Sequence, residues 1–279
     1  MEEKALTAKK SGFSMLPLCF IVFASGAALF VYAIGHLERG ENALGGFLLV
    51  VAILGYIAGI IALPGFKVLK PQEALVLTLF GHYAGTLREP GFYWVCPFCT
   101  AVNPAAGTKL SQSGDVDGGA HAASQSDGMG KKISLKMMTL NNSRQKINDC
   151  LGNPVEIGIA VIWRVTDTAK AVFNVDNYKE YLSLQCDSAL RNVVRVYPYD
   201  VAPNVDTTGD GVADEGSLRG SSEVVAARIR DEIQKNVAEA GIEVVEARIT
   251  YLAYAPEIAA VMLQRQQASA IIDARKMIV

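Results

Sequence analysis

The sequence predicts an α+β protein made of an N-terminal two-helix transmembrane hairpin, a mixed α/β domain and a C-terminal helix of the coiled-coil type. Two long apolar stretches without formal charge lie in the first 66 residues. After them, strand-like alternation is interspersed with helical spacing, and Pro256–Val279 reads as one helix without a stop signal, as in a truncated chain. We therefore place the tail and hairpin in residues 1–66, the α/β domain in residues 67–255 and the start of the terminal helix in residues 256–279.

The composition excludes several classes of protein. Of the 279 residues, 51% are hydrophobic and 19% are charged, which is too apolar for a disordered chain and high for a soluble one. The 26 basic residues nearly balance the 28 acidic ones, so the chain lacks the positive charge with which nucleic-acid binders neutralise phosphates. Its five cysteines do not make a disulfide framework. A membrane protein with a sizeable water-exposed part remains.

Both apolar stretches are long enough to cross a bilayer. Ser11–Leu37 and Asn42–Phe66 contain no Asp, Glu, Lys or Arg, and about 20 apolar residues suffice to span the hydrocarbon core. We predict membrane helices over about residues 15–34 and 43–63. The alternative for the first stretch is a cleaved signal peptide, but its apolar run is too long and it lacks a clean cleavage site.

The charges that flank the hairpin predict its orientation. Lys4, Lys9 and Lys10 precede the hairpin, and Lys67 and Lys70 follow it. By the positive-inside rule, both ends of the hairpin lie in the cytoplasm. The short anchor suggests a bacterial protein, so we expect the inner membrane, with the N-terminus and the α/β domain on the cytoplasmic side.

Gly55 and Gly59 form a small-xxx-small face on the second predicted helix. Because glycine has no side chain, such a face allows another helix to approach closely. The partner is either the first helix of the same hairpin, which we favour, or a helix of another protein copy.

The first part of the α/β domain is rich in strand signals. Ala74–Phe80 and Phe92–Val95 have the aliphatic and aromatic composition of strands. Asn103–Lys131 consists almost entirely of small and polar residues, which predicts a flexible insertion. In Ile133–Thr139 apolar residues alternate with polar ones, which predicts a single half-buried strand.

The rest of the chain alternates helices with strands. A predicted β-hairpin joins Gln145–Cys150 to Val155–Val165, and its second strand turns Ile157, Ile159 and Val161 to one face. Two helices are predicted next, over Thr166–Val175 and over Asp176–Val196, the second with Asp176 as its N-cap. A third helix is capped by Ser222 and ends at Gly241, and its buried face consists of Val225, Ile229, Ile233 and Val237. The last predicted strand is Ile242–Leu252.

Cys96 and Cys99 form a C-x-x-C motif. In redox proteins this motif lies at the start of a helix, which lowers the pKa of the first thiol. Here it follows an aromatic strand and precedes a Gly- and Ser-rich stretch, and a zinc site would need ligands from another chain. We therefore favour ordinary strand-end residues over redox or metal chemistry.

Asp206, Asp210 and Asp214 occupy positions 1, 5 and 9 of a calcium-type loop whose sixth residue is glycine. Its twelfth position is Ser217 instead of a bidentate glutamate, and Pro203 disfavours a helix before the loop. An acidic surface turn is therefore the favoured interpretation. Since the three histidines lie far apart and no hydrolase, zinc-protease or phosphate-loop motif is present, we expect no enzyme activity, cofactor or metal.

Several segments of the chain resemble a known family. They are Val68–Ala74, Glu89–Val95, Val161–Val165, Asn177–Asp200, Ala247–Ile249 and Ala255–Ile258. This distributed pattern over residues 67–279 resembles the SPFH family (stomatin, prohibitin and flotillin), also called band 7 or PHB. The resemblance implies a two-lobed α/β domain, a coiled-coil helix, membrane anchoring, large ring- or cage-like oligomers and no catalytic site. The long insertion and the short final helix depart from the family pattern.

The terminal helix favours self-assembly independently of this resemblance. Ile258, Met262, Ile271 and Ile272 lie roughly on one side, and such a stripe needs a partner. That partner is a second copy, which we favour, or the helix's own domain.

Three functions are therefore considered. The first is a non-enzymatic scaffold that assembles with itself in the lipid bilayer and organises membrane microdomains or membrane proteins. The second is a regulatory binding subunit of a membrane protease. The third and most remote is a membrane-tethered thiol oxidoreductase that uses Cys96 and Cys99. No nucleic-acid partner is expected.

Overall fold

The computed structural model describes residues 3–6, 12–39, 42–110, 116–117, 130–142, 144–200 and 217–278. The chain divides into two compact units, one formed by Met1–Ala106 and Ser126–Lys136, the other by Gly107–Gln125 and Met137–Val279. This division differs from the expected boundaries at residues 66 and 255. The hairpin shares a unit with the first strands, and the terminal helix shares a unit with the second sheet.

The first unit begins with two antiparallel helices. Helix α1 spans Gly12–Glu38 and helix α2 spans Asn42–Ala62, and a 3-10 turn at Leu63–Gly65 follows. Both helices are long and apolar enough to cross a membrane, and most of their residues lie on the outside of the unit. Large side chains such as Phe20 and Phe47 are exposed there. Apolar side chains that face outward suit lipid, whereas a core helix of a soluble protein would bury them.

Small sheets follow the hairpin. In chain order the strands are β1 (Phe66–Leu69), β2 (Glu73–Leu79), β3 (His82–Leu87), β4 (Gly91–Trp94), β5 (Cys99–Ala101), β6 (Lys109–Leu110), β7 (Val116–Asp117) and β8 (Ile133–Ser134). Antiparallel pairs join β1 to β4, and β2 to β3, β5 and β8, whereas β6 pairs with β7 within the second unit. The core of the first unit contains Leu69, Leu75, Leu77, Leu87 and Tyr93.

The second unit is an antiparallel sheet covered by helices. Its elements are β9 (Met138–Asn141), β10 (Gln145–Asn148), β11 (Pro154–Val165), α3 (Thr168–Phe173), α4 (Tyr178–Val194), α5 (Ser222–Val237), a 3-10 turn at Ala238–Ala240, β12 (Ile242–Tyr254) and α6 (Pro256–Ile278). The long strand β11 pairs with β9, β10 and β12. The apolar faces predicted for β11 and α5 are buried, as expected for a sheet and a helix that share a core.

One predicted strand is wrong. The alternation over Ile133–Thr139 is divided between β8, which pairs with β2, and β9, which pairs with β11 in the other unit. Met137 between them is exposed, whereas Ile133 and Leu140 are fully buried. An odd-numbered and an even-numbered residue cannot share one face of a continuous strand, so the chain changes face where it passes from one unit to the next.

Two predicted helix starts are each off by one residue. Asn177, and not Asp176, caps α4, because its side chain accepts hydrogen bonds from the backbone N–H groups of Lys179 and Glu180. Ser221 holds the N-cap position of α5, so Ser222 is already helical. Gly241 ends the following 3-10 turn in the left-handed conformation, as predicted from its position.

The first residues of the insertion predicted over Asn103–Lys131 make defined hydrogen bonds. The side chain of Asn103 donates to the carbonyl of Lys132 over 2.9 Å and closes the base of the insertion. At Thr108, the hydroxyl accepts from Asn177 and the carbonyl accepts from the Lys179 ammonium, each over 2.7 Å. Burial lowers the pKa of Lys179. The start of the insertion is thus held by folded parts of the chain at two positions.

Candidate functional site: the membrane junction and the terminal helix

The two membrane helices meet through glycine and aromatic residues. A Cβ on Gly26 would lie 3.3 Å from the ring of Tyr56, and one on Gly59 would lie 3.0 Å from that of Phe23. The rings of Phe23 and Tyr56 also meet edge to face, 5.9 Å apart. Of the two glycines singled out in the sequence, Gly59 therefore lies against the other helix of the hairpin. Nothing lies within 4 Å of a Cβ on Gly55, so its side of α2 is open.

The second helix continues directly into the first sheet. The backbone N–H of Val95 donates to the carbonyl of Gly65 over 2.9 Å. The indole N–H of Trp94 donates to the carbonyl of Ala62 at the end of α2, over 3.2 Å. A Cβ on Gly65 would lie 2.6 Å from the carbonyl oxygen of Val95, so the absence of a side chain permits this approach. These contacts satisfy carbonyls that a helix end otherwise leaves unpaired.

The two faces of the aromatic strand β4 pack against different parts of the first unit. Phe92 stacks on Phe66, with ring centroids 5.5 Å apart, and meets Phe13 of α1 edge to face at 5.3 Å. Tyr93 points the opposite way and is buried in the core, as alternation along a strand requires. Alternate residues of this strand thus face the first membrane helix and the core of the unit. Trp and Tyr are favoured where a membrane protein meets the headgroup layer.

A short N-terminal segment, Glu3–Leu6, also belongs to this junction, although no strand was predicted there. Ala5 forms a parallel bridge with Thr86 of β3. The N–H of Leu6 donates to the carbonyl of Thr86, and the N–H of Thr86 donates to the carbonyl of Lys4, each over 2.9 Å. The segment precedes α1, so the start of the first membrane helix lies beside the sheet that follows the second.

Two exposed phenylalanines of the first unit, Phe80 and Phe98, lie against each other. Phe80 and Phe98 are 80% and 56% exposed, and their rings stack with centroids 6.1 Å apart. Phe80 has a φ of 48°, a left-handed backbone that is unusual for a bulky residue. Phe98 is three residues beyond Val95, which is bonded to the end of the membrane hairpin. The pair therefore presents apolar surface close to the membrane junction.

The C-x-x-C thiols lie in a turn that leads into β5. The N–H of Cys99 donates to the carbonyl of Cys96, and both residues are free cysteines. Burial raises the pKa of the Cys99 thiol, and the adjacent Cys96 raises it further. A redox-active thiol needs a lowered pKa. The element that follows is a strand and not a helix, so no helix dipole favours the thiolate.

The terminal helix α6 is attached to the second unit at its first turn. The side chain of Lys146 donates to that of Glu257 over 2.6 Å. The N–H of Ala255 donates to the carbonyl of Pro154, and the carbonyl of Ala255 accepts from Ile258 and Ala259. These contacts attach the first turn of α6 to β10 and to the start of β11.

The predicted contact residues of α6 differ in exposure. Ile258 and Met262 are half-buried and Ile271 is exposed, while the side chain of Ile272 lies outside the described side chains. Val261, at 62% exposure, was missed by the sequence analysis. At about 100° per residue it lies between the directions of Ile258 and Ile271. Val261 therefore belongs to the predicted stripe and widens it.

The metal-ligating side chains among the described residues are scattered. None of them make up a group of three or more His, Cys, Asp or Glu side chains that could hold a metal. An open groove of about 550 Å³ runs between α5 and β12, and its lining includes Glu223, Arg230, Glu246 and Arg248 but no histidine or cysteine. Asp206, Asp210 and Asp214, the candidate calcium ligands, lie outside the described residues.

Comparison with known families agrees with the mixed helix and strand fold described above. Residues 67–277 match the sequence model of the SPFH domain / Band 7 family, which is most of the chain. The chain belongs to this family. No curated protein matches the chain. The match begins at the first strand after the hairpin and continues into α6, so the SPFH domain comprises parts of both compact units.

Membership in the SPFH family bears on the kind of function to expect. SPFH proteins are a membrane-associated, scaffold-type family and are generally non-enzymatic. The two apolar N-terminal helices add a membrane anchor that lies before the matched residues. A membrane-associated, scaffold-type role is therefore the kind of function that the family suggests for this chain.

Proposed function

We propose that this SPFH protein is a non-enzymatic membrane scaffold that assembles with copies of itself into large oligomers and thereby organises a patch of membrane and its proteins. The observation that carries the proposal is the terminal helix α6, whose apolar side chains remain exposed in a single chain. Val261 and Ile271 are 62% and 56% exposed. Apolar stripes on a helix are stable in water when a partner helix covers them.

The same proposal places both ends of the hairpin on one side of the membrane. The N-terminal segment Glu3–Leu6 pairs with β3, and β3 follows the second membrane helix in sequence. This contact supports a hairpin that returns to its starting side. The lysines that flank the hairpin favour the cytoplasmic side of a bacterial inner membrane.

The bilayer is the second proposed partner. The outward-facing side chains of α1 and α2 suit the hydrocarbon layer. The stacked pair of Phe80 and Phe98 supports a shallow contact of the first unit with the headgroup layer. The protein would thus contact the bilayer through its two spanning helices and through Phe80 and Phe98, which we call the aromatic tip.

The native mass of the full chain in a mild detergent tests self-assembly. We expect one large species of many subunits by mass photometry or light scattering. Replacing Val261 and Ile271 together by serine should reduce the mass to a monomer or small oligomer, because the stripe loses its apolar surface. Gln264 and Gln267 are exposed on the same helix, so serine at these positions is the matched control.

A monomeric wild-type chain would contradict the proposal. If the stripe variant and the glutamine variant lost the same oligomer mass, assembly would depend on the helix as a whole and not on its apolar stripe. Proteins that co-purify distinguish the related functions. One membrane protease in fixed proportion would favour a regulatory subunit, whereas varied membrane proteins would favour a general scaffold.

A further inference from the structure

The N-terminal segment Glu3–Leu6 fits its site on the first unit through its backbone. Two hydrogen bonds of 2.9 Å join it to Thr86, as between neighbouring strands. The N–H of Lys4 also donates to the hydroxyl of Tyr83 over 3.2 Å, and that hydroxyl lies 2.7 Å from the Thr86 hydroxyl. The segment thereby covers β3, which is the edge of the β3-β2-β5 path. An uncovered edge would expose unpaired backbone groups.

Side chains at both ends of the segment add specific contacts. Leu6 packs against the core of the first unit. Gly85 of β3 makes room for it, since a Cβ at Gly85 would lie 2.5 Å from Cγ of Leu6, and its φ of 147° also disfavours a side chain. At the other end, a carboxylate oxygen of Glu3 lies 3.3 Å from the guanidinium of Arg88. The glycine at position 85 thus marks the place where Leu6 approaches the strand closely.

The segment lies just before the first membrane helix, so its contacts also connect that helix to the sheet. Only five residues separate Leu6 from Gly12, the first residue of α1. The sheet of the first unit is therefore linked to the hairpin twice through the chain: to α2 through β1, and to α1 through the segment. The contacts of Phe92 with Phe13 and of Trp94 with Ala62 lie between these links. A body held at two separated points cannot pivot about either one.

We propose that residues 3–6 act as an N-terminal latch that binds the edge of β3 within the same chain and fixes the β3-β2-β5 sheet to the start of the first membrane helix. The latch goes beyond the scaffold function, because it concerns the posture of one subunit and does not require an oligomer. Opening the latch exposes the edge of β3 and frees this sheet to move about its link to α2.

Hydrogen–deuterium exchange of the full chain in lipid nanodiscs tests this latch. Leu6→Ser removes the apolar contact, and we expect at least tenfold faster exchange in the peptides that contain Thr86. We also expect faster exchange at Val95, whose N–H bonds to Gly65 at the other link. Leu151→Ser, at an exposed leucine of the second unit, is the matched control, and exchange of these peptides should stay as in the wild-type chain.

Glu3→Arg provides a second, milder opening, since it places two positive charges side by side and leaves Leu6 intact. Its expected effect is smaller and in the same direction. Unchanged exchange of β3 in both variants would overturn the latch. Faster exchange at β3 with none at Val95 would also overturn it, because the segment would then be a local cover without mechanical effect. Unchanged exchange of β11 shows that the second unit remains folded.

Cysteine trapping decides whether the latch closes within one chain. Ala5→Cys and Thr86→Cys, at the bridge partners, should form a disulfide within one chain when Cys96 and Cys150 are replaced by serine. In a mixture of two differently tagged single variants, we expect no disulfide between copies. A disulfide between copies would overturn the latch and show instead that subunits exchange their N-terminal segments.

Discussion

At the scale of single residues, Glu73 shows how one carboxylate can join segments far apart in sequence. Its side chain accepts from the N–H of Lys70 over 3.2 Å and lies 3.2 Å from the ammonium of Lys132, beyond the insertion. Burial tends to raise the pKa of Glu73, but the hydrogen bonds from Lys70 and Lys132 outweigh it, so the pKa is lowered. The charged form is therefore the one that the fold stabilises.

The lowered pKa of Glu73 gives the stability of the first unit a defined pH dependence. The contribution is present above the ordinary pKa of 4.5 and is lost as the pH falls through the lower folded-state value. We expect Glu73→Gln to cost about 1 kcal/mol or less at neutral pH, as for a partly exposed ion pair. The acid limb of the stability curve should flatten in thermal unfolding from neutral to acid pH. Glu89→Gln, at an exposed position, is the control, and an identical acid limb in Glu73→Gln would refute the prediction.

The cysteines make a second prediction at this scale. Burial raises the pKa of both Cys99 and Cys186, and Cys96 is exposed. Because alkylation requires an accessible thiolate, we expect iodoacetamide at neutral pH to label Cys96 first and Cys99 more slowly. Cys186 should react only on unfolding, at least tenfold more slowly than Cys96. Peptide mass spectrometry measures these rates, and faster labelling of Cys99 or Cys186 than of Cys96 would contradict the prediction.

At the scale of elements, the sequence predicted those whose signals are local. The membrane helices, the β10–β11 hairpin and the buried face of α5 follow from apolar spacing over many residues. The break between β8 and β9 did not, because alternation within the chain does not reveal that two strands join different sheets. The partner strand decides this, and it lies far away in sequence.

The N-terminal latch was missed for the same reason. Glu3–Leu6 is too short to show a period, and its partner lies about eighty residues away in the sequence. One local signal was present, since Gly85 interrupts an otherwise regular strand. A glycine there predicts that some part of the chain approaches closely, but not which part.

Gly241 supports a prediction about how α5 joins β12. Its φ is 65°, and its carbonyl accepts from both N–H groups of Thr166 and Asp167. A Cβ would collide with the carbonyl oxygen of Asp167. We expect Gly241→Ala to destabilise the second unit by about 2–3 kcal/mol in chemical denaturation, from the left-handed backbone and the clash together.

Gly152→Ala is the matched control for this substitution. Gly152 has a φ of 82° and nothing lies within 4 Å of the Cβ position. Alanine at this position should therefore lower the free energy of unfolding by only about 1 kcal/mol, the cost of the left-handed backbone. Equal losses at the two glycines would show that the collision at Gly241 is relieved by a small backbone shift.

The turns that carry Phe80 and Phe98 lead to a prediction about the bilayer. With Trp94 and Trp163, the two tryptophans of the chain, replaced by phenylalanine, Phe98→Trp should show blue-shifted fluorescence that brominated lipids quench, because the aromatic tip contacts headgroups. Glu89→Trp is the control, since it lies past the far end of β3, about 20 Å along the strand at 3.3 Å per residue. Equal quenching at both positions, or at neither, would argue against a membrane contact of this tip.

At the scale of the whole molecule, the division into two units was beyond the reach of sequence patterns. The SPFH match runs through residues 67–277 without interruption, yet one unit takes the strands up to Ala106 and the other begins at Gly107. Family membership identifies which residues belong together in evolution. Packing decides which residues share a core, and this depends on which side chains bury one another.

Because each unit has its own core, we expect them to unfold in separate steps. Leu77 is buried in the first unit and Ile159 in the second. Replacing either by alanine should cost about 2–5 kcal/mol within its own unit, from lost burial and the cavity left behind. Hydrogen–deuterium exchange of the full chain under mild denaturant should show faster opening of β2 in Leu77→Ala and of β11 in Ile159→Ala. Faster opening of both strands in both variants would mean that the two units unfold as one cooperative body.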